Sequence, residues 1–423
     1  EESSIFYRRA ETDGAGTLCA YHLPKREEVV IDTEVTAFQQ IGGKDSPLCY
    51  LRKEGGSQVL YAYNGTAKTE LDRAVAEFHL YPTQASWELF YLKAQEQDGI
   101  FSLYKQTKTT NAQLVAEGVA SVRFDQYAPG GPLYYLCPSA EQLSWTDLIE
   151  DDKKEEDAAL QEPKLTDFVG GVLDSLLNFS EYGSGAYHTA LTAYNEKLKR
   201  DKIREELSSL DAEALFGGLR YDCYAFTGTN SLLLAGGLHL DSLYAASAAS
   251  PAIVSYSYSL NQKDRLQISA LDDEWIAQAQ EEGWEALLTK LAQQALSPAL
   301  ALTTVKDGKP VSSAIEQVPQ ETAFAFSNDG AHLYLLEEME QGGTLTRATV
   351  SATGLTEKTK IDTNVSRYIV SKDTVYYLKG SNVQSGTLYK FTYSESVLIE
   401  NDVRSLEPVS YTHLRAHETR RHL

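Results

Sequence analysis

Residues able to do chemistry are spread thinly along this chain of 423 residues. The four cysteines, Cys19, Cys49, Cys137 and Cys223, stand singly in strand-like runs such as Leu48-Cys49-Tyr50-Leu51, with no C-x-x-C pair. That spacing does not make a zinc site. It predicts buried thiols, a disulfide between neighbouring repeats being the alternative where Cα atoms approach closely. His22, His79, His188, His239 and His332 are scattered, with no H-E-x-x-H or paired spacing. Asn328-Asp329-Gly330 could open a calcium loop, but the alternating acidic ligands and the glutamate at the twelfth position do not follow. A hairpin turn is the better reading. The run Glu150-Asp151-Asp152 with Glu155-Glu156-Asp157 could hold a divalent cation, or form a solvated helix face, which we favour. Ser184 lies in Gly183-Ser184-Gly185, which lacks the G-x-S-x-G elbow, and Gly236-Gly237 lacks the phosphate-loop lysine. Trp145, Trp275 and Trp284 could line a sugar- or peptide-binding face, packing of helices being the plainer account. The sequence thus nominates no catalytic residue, no metal ligand and no cofactor.

The elements that would position a site are repeats. An aromatic strand, a glycine-marked turn, a return strand and a third strand ending in valine recur. Tyr7, Tyr50, Tyr91 and Tyr135 mark the first strand, and Val35, Val75 and Val119 close the units, both with a period of about 42 residues. The same pattern returns at Leu333-Tyr334-Leu335-Leu336 and Val375-Tyr376-Tyr377-Leu378. Alternation within each run fits half-buried strands, and the glycine pairs supply hairpin turns. This is the signature of a mainly β fold, a β-propeller of about seven blades with a range of six to eight.

The repeat is interrupted. Residues 139–219 read as a helical insertion, with Ser144 and Asp147 as an N-cap pattern. Within it a helix runs from about Ala186 to Leu215 on a stripe of Leu191, Tyr194, Leu198, Ile203, Leu207 and Leu210. Propeller blades occupy 1–138 and 220–408, the latter with a helix near 272–296. The net charge of −22 argues against nucleic acid and anionic membrane as partners. No signal peptide or transmembrane run is present, and the only methionine is Met339, so the chain reads as a piece of something longer.

The stretch Phe324-Ala325-Phe326-Ser327-Asn328-Asp329-Gly330-Ala331-His332-Leu333-Tyr334-Leu335 resembles the S-x-D-G-x-x-L/I-Y unit of TolB-like and WD-type bacterial propellers. The chain is similar to uncharacterised extracytoplasmic propeller domains of anaerobic Gram-positive bacteria. That resemblance implies a cell-envelope protein tethered to the membrane by an N-terminal helix that is absent here. It carries no catalytic residues. The end from Val409 to Leu423 resembles a translated sequencing-adapter read-through of metagenomic reading frames. It holds three of the eight histidines, and we set it aside as non-native. The resulting expectation is a non-catalytic, monomeric binding or scaffolding propeller for a protein or glycan. Its candidate partner surface on the insertion is Trp145, Asp151, Asp152, Tyr182 and Tyr187. The alternatives are a carbohydrate-active or peptidase-associated enzyme and a structural spacer in an envelope complex.

Overall fold

A computed structural model describes residues 4–10, 14–42, 46–84, 86–97, 99–140, 149–168, 184–209, 220–260, 265–271, 273–284, 286, 296–316, 318–319, 322–337, 342–371, 374–380, 385–392 and 394–407. The expected N-cap at Ser144 and the tail 409–423 lie outside these residues.

The aromatic runs form antiparallel meanders. Strands β1 (Ser4–Ala10), β2 (Gly16–His22) and β3 (Glu27–Gln40) come first, then β4 (Leu48–Glu54), β5 (Ser57–Tyr63) and β6 (Lys68–Arg73). The next blade is β7 (Val75–Pro82), β8 (Trp87–Ala94), β9 (Phe101–Thr107) and β10 (Thr110–Val119). Strands β11 (Ser121–Val122) and β12 (Leu133–Pro138) precede β13 (Ile149–Glu150), and the sheet resumes with β14 (Tyr221–Phe226), β15 (Ser231–Ala246) and β16 (Ala252–Leu260). After β17 (Leu266–Gln267) come β18 (Leu296–Lys306), β19 (Lys309–Ala314), β20 (Ala323–Phe326), β21 (His332–Glu337) and β22 (Gly343–Ser351). The last are β23 (Gly354–Ser371), β24 (Thr374–Lys379), β25 (Gly386–Thr392) and β26 (Glu395–Val403).

Three strands serve two blades each. The first part of β3 pairs with β2 and its second part with β4, and β23 likewise bridges β22 and β24. β15 lies between β14 and β16 in the same way. The outer strand of one blade therefore runs straight on as the inner strand of the next. The turn between them is one residue in the left-handed region: Glu34 (φ 59°), Ala74 (φ 58°), Gly118 (φ 69°), Gly237 (φ 71°) and Asn364 (φ 57°). A buried apolar residue follows each: Val35, Val75, Val119, Leu238 and Val365. Such a bulge re-aims a strand, and for a residue with a Cβ it costs about 1–2 kcal/mol. Something must offset that cost.

The sheets stack face to face in chain order. Cys49, Leu51 and Leu60 of one blade pack with Phe78, Leu80, Leu89 and Tyr91 of the next. Further clusters of this kind join the first blade to the second, the third to the fourth, and so on to the seventh. At roughly 1.5–3 kcal/mol per fully buried large side chain, each interface is a substantial core of its own. In four blades the second and third strands also carry a directly opposed, stacked tyrosine pair: Tyr50–Tyr61, Tyr91–Tyr104, Tyr135–Tyr224 and Tyr377–Tyr389, with centroids 5.2–5.5 Å apart. The architecture is a β-propeller of seven blades with helical material inserted.

Contacts divide the chain into two compact units. The propeller unit comprises Glu1–Pro138, Tyr221–Ser255 and Leu300–Leu423, and the second comprises Ser139–Arg220 and Tyr256–Ala299. Both parts of the second unit leave the propeller at one loop position, between the second and third strands of a blade. The first runs from β12 to β14 and the second from β16 to β18. The second unit holds α1 (Lys154–Ala159), α2 (Ser184–Ser208) and α3 (Asp273–Glu282). The expected helix 186–215 is thus described up to Ser208. Of the helix expected near 272–296, Asp273–Glu282 is formed, and residues 287–295 lie outside the described residues.

Candidate functional site

The carboxylates fall into two constellations. The first repeats between blades. Asp32 ends an outer strand, two residues before the left-handed Glu34. Its Oδ2 accepts the Tyr50 hydroxyl of the next blade at 2.9 Å and the Lys68 ammonium at 3.0 Å. Its Oδ1 accepts the Thr33 backbone N–H at 3.0 Å. Arg52 Nε approaches at 3.5 Å. Asp72 does the same with Tyr91 (3.0 Å), Lys93 (2.7 Å) and the Arg73 N–H (2.7 Å). Asp362 does so with Tyr377 (2.9 Å), Lys379 (2.5 Å) and the Thr363 N–H (2.8 Å). Burial works to raise each of these carboxyls, yet the lysine, tyrosine and backbone donors outweigh it and leave all three below the usual range. Burial, with the acceptor carboxylate, in turn pushes the Tyr377 hydroxyl up to about 12. An ionised acid ringed by donors cannot take or give a proton near neutrality. These latches hold blades together and strap the kink.

The signal for them was in the sequence. Asp32, Asp72 and Asp362 each stand three residues before the closing valine, and Tyr-x-Arg/Lys follows in the next strand. Tyrosine and valine spacing marks the repeat, and the acids stand inside it at a fixed offset.

The second constellation lies in the second unit. Arg204 grips Asp151 with two hydrogen bonds, Nε to Oδ2 at 2.8 Å and Nη2 to Oδ1 at 2.7 Å. The same Nη2 reaches Asp157 at 2.9 Å, and Nη1 reaches Asp201 at 2.7 Å. Arg200 grips Asp157 through Nε at 2.7 Å and Nη2 at 2.6 Å. Lys197 bonds Asp201 at 2.5 Å. Paired forks of this kind are the strong form of charge-assisted bond. The Arg200 bonds, against burial, hold Asp157 below the usual carboxylate range. Asp157 is 2% exposed, so the acidic run is not simply a solvated face.

This explains α2. Its covered face carries Lys197, Arg200 and Arg204 beside the buried Ile203 and Leu207, while Leu198 of the apolar stripe is 47% exposed. A helix whose covered face is cationic cannot be read from apolar spacing alone. The two parts of the unit are tied together by β13 and β17, paired in parallel at Ile149–Leu266 and Glu150–Gln267. Asp152 adds to this tie by accepting the Ser269 N–H at 3.0 Å.

Of the candidate surface, Asp151 and Asp152 are therefore engaged within the unit. Tyr187 meets Phe168 edge-on at 5.8 Å. Trp145 and Tyr182 lie outside the described residues. Trp275 and Trp284 contact each other at 5.2 Å. Asn328-Asp329-Gly330 is a turn: Asp329 Oδ1 accepts the Ser327 hydroxyl at 2.6 Å and the Ala331 N–H at 2.9 Å. The four cysteines are free. Among the described residues no group of three or more His, Cys, Asp or Glu is placed to hold a metal, and no helix is long and apolar enough to cross a membrane.

No protein-family model matches the chain, and no curated protein does. Solved structures are similar at the level of fold. The β-propeller domain of the Trilobed protease from Pyrococcus furiosus aligns at TM-score 0.36 and 8% identity, over 94% of each chain. A protein from Lactobacillus plantarum aligns at 0.33 and 12%, over 95% of each chain. A eukaryotic initiation factor aligns at 0.42 and 10%, over 95% of this chain and 77% of that one. These likenesses are too distant to carry a residue or an activity across.

Proposed function

We propose that this protein is a non-catalytic binding or scaffolding propeller, and that its second unit is the element that recognises a protein or glycan partner. One observation carries the reading. Two insertions separated by the propeller segment Tyr221–Ser255 leave adjacent blades at the same loop position and build one compact unit with its own strand pair and ion-pair network. Insertions at one loop position of a repeat fold gather on one side of it, often the binding side. The propeller's own recurrent acids and tyrosines are meanwhile occupied in holding blades together. Placement at the cell envelope follows from the resemblance of the strand–turn–strand unit to extracytoplasmic propellers, and remains part of the proposal.

The test compares the whole chain with a variant in which 139–220 and 261–295, the stretches between the flanking strands, are each replaced by a short Gly-Ser linker. Both are screened on a glycan array and a peptide library, and for glycan and peptide hydrolysis. The expected result is a ligand held by the whole chain and lost from the variant, with no turnover. Binding that survives the replacement, or hydrolysis by the whole chain, refutes the reading.

A further inference from the structure

The first and last blades carry the two halves of one latch. On β26, Glu400 Oε1 accepts the Asn401 N–H at 3.0 Å, the bond that Asp32, Asp72 and Asp362 accept from the residue after them. Two residues on, Asp402 is left-handed at φ 57°, and Val403 follows. The register agrees, since Glu400 faces Leu388 as Asp32 faces Leu18 and Asp72 faces Leu60. On β1, Tyr7 faces Cys19 as Tyr50 faces Tyr61 and Tyr91 faces Tyr104. Arg9 stands two residues later, where Arg52 and Lys93 stand in their blades. These donors now turn to their own blade: Tyr7 donates to Glu28, and Arg9 pairs with Glu28 at 3.1 Å.

The strand that belongs between the halves is also recognisable. The four inner strands that follow a closing valine have an apolar residue three places past it: Phe38, Phe78, Val122 and Tyr368; the one that follows Leu238 has Asp241 there. After Val403 that place is Leu406. Residues 404–407 have no regular structure, β1 is the edge of its sheet, and Val403 is only half-buried where Val35, Val75, Val119 and Val365 are fully so.

We propose that residues 403–407 of this same chain add to the β1 edge as an antiparallel inner strand, with Leu406 opposite Tyr7 and Ser405 opposite Arg8, so that Glu400 becomes the acceptor for Tyr7 and Arg9. The register is that of Phe38 opposite Tyr50 and Tyr368 opposite Tyr377. A free strand edge is a template for such addition. The occupant is this segment and not a second copy because the kink motif delivers it as the kinks at Glu34, Ala74, Gly118, Gly237 and Asn364 deliver the inner strands that follow them. The inference stands apart from the role proposed for the second unit.

The test is the full chain carrying Arg8→Cys and Ser405→Cys. Opposed antiparallel residues lie about 4.5–5.5 Å apart, within the span a disulfide bridges. Mild oxidation followed by peptide mapping is expected to find the intrachain bridge in most molecules. A covalent dimer would give the edge to a second copy and overturn the proposal, as would a monomer that stays reduced. Arg8 also donates to the Gly14, Val35 and Thr36 carbonyls, so hydrogen exchange supplies a test that leaves β1 intact. In Leu406→Asp, amides of residues 4–10 are expected to exchange at least tenfold faster than in the parent chain, with β8 unchanged. Equal rates in the two proteins overturn the strand.

Discussion

Replacing Asp157 by alanine separates the stability of the second unit from that of the propeller. The Asp157 side chain is 3% exposed and takes both bonds of Arg200 and one of Arg204. Removing it leaves Arg200 without that partner, while Arg204 keeps Asp151 and Asp201. Breaking a buried pair costs about 3–5 kcal/mol. The arginines retain 15% and 20% exposure, so water relieves part of this, and about 3 kcal/mol is the working figure. With a urea m-value of about 1.5 kcal/mol/M, the midpoint falls by about 2 M. Three of the four tryptophans, Trp145, Trp275 and Trp284, belong to the second unit, so fluorescence follows it, while hydrogen exchange of the β8 amides in urea follows the propeller. The fluorescence midpoint is expected to fall and the exchange midpoint to hold. Asp157→Asn, which can still accept from one arginine, should lie between. Acid gives a second readout. The folded carboxyl titrates below its unfolded value, so its contribution is fully present above about pH 4 and is lost as pH falls through the folded pKa. Asp157→Ala should lack that part of the acid transition. A fluorescence shift under about 0.5 M, or equal shifts by both probes, refutes the reasoning.

Asp72→Ala should destabilise the propeller by about 1–2 kcal/mol, a figure already reduced for the exposure of Lys93, and Tyr91→Phe by less; urea titration followed by dichroism measures both. Gly16→Ala places a Cβ 2.1 Å from the Arg9 carbonyl oxygen, so the backbone must part and at least about 2 kcal/mol should be lost in the same assay. Burial pushes the Cys49 and Cys223 thiols up to about 12 and Cys137 to about 11, so a thiol reagent at pH 8 should label these only as urea unfolds the chain.

What could be read from the sequence was what repeats. A tyrosine on the second strand and a valine after the kink recur because every blade must pack on both neighbours, and that requirement writes itself into spacing. The latch acids keep the same offset from the valine, but at three kinks only, and a single polar residue in a largely exposed outer strand makes no alternating pattern to draw the eye. The second unit was hidden for another reason. Nothing in 139–219 or in 256–299 taken singly indicates that the two meet. Their meeting is dictated by departure from equivalent turns of adjacent blades, which is visible only once the strands are paired. The expected stripe found Ile203 and Leu207 on the covered face of α2 but not Lys197, Arg200 and Arg204 beside them, which bury their stems and present charge to Asp151, Asp157 and Asp201.

The latch also explains why the kink tolerates residues with a Cβ. Glu34, Ala74 and Asn364 sit in left-handed backbone at about 1–2 kcal/mol each. Each lies two residues beyond a carboxylate that accepts the intervening backbone N–H and is itself held by a tyrosine and a lysine of the next strands. Charge-assisted bonds of about 1.5–3 kcal/mol are enough to offset the strain. The two kinks whose latch position holds alanine, Ala116 and Ala235, have glycine instead, Gly118 and Gly237. Where the latch is present the kink accepts any residue, and where it is missing glycine removes the strain at its source. Asp402 carries a side chain at the last kink, and Glu400 stands in the latch position before it. By the same reasoning that kink calls for donors, and the strand pairing proposed for residues 403–407 would bring it Tyr7 and Arg9.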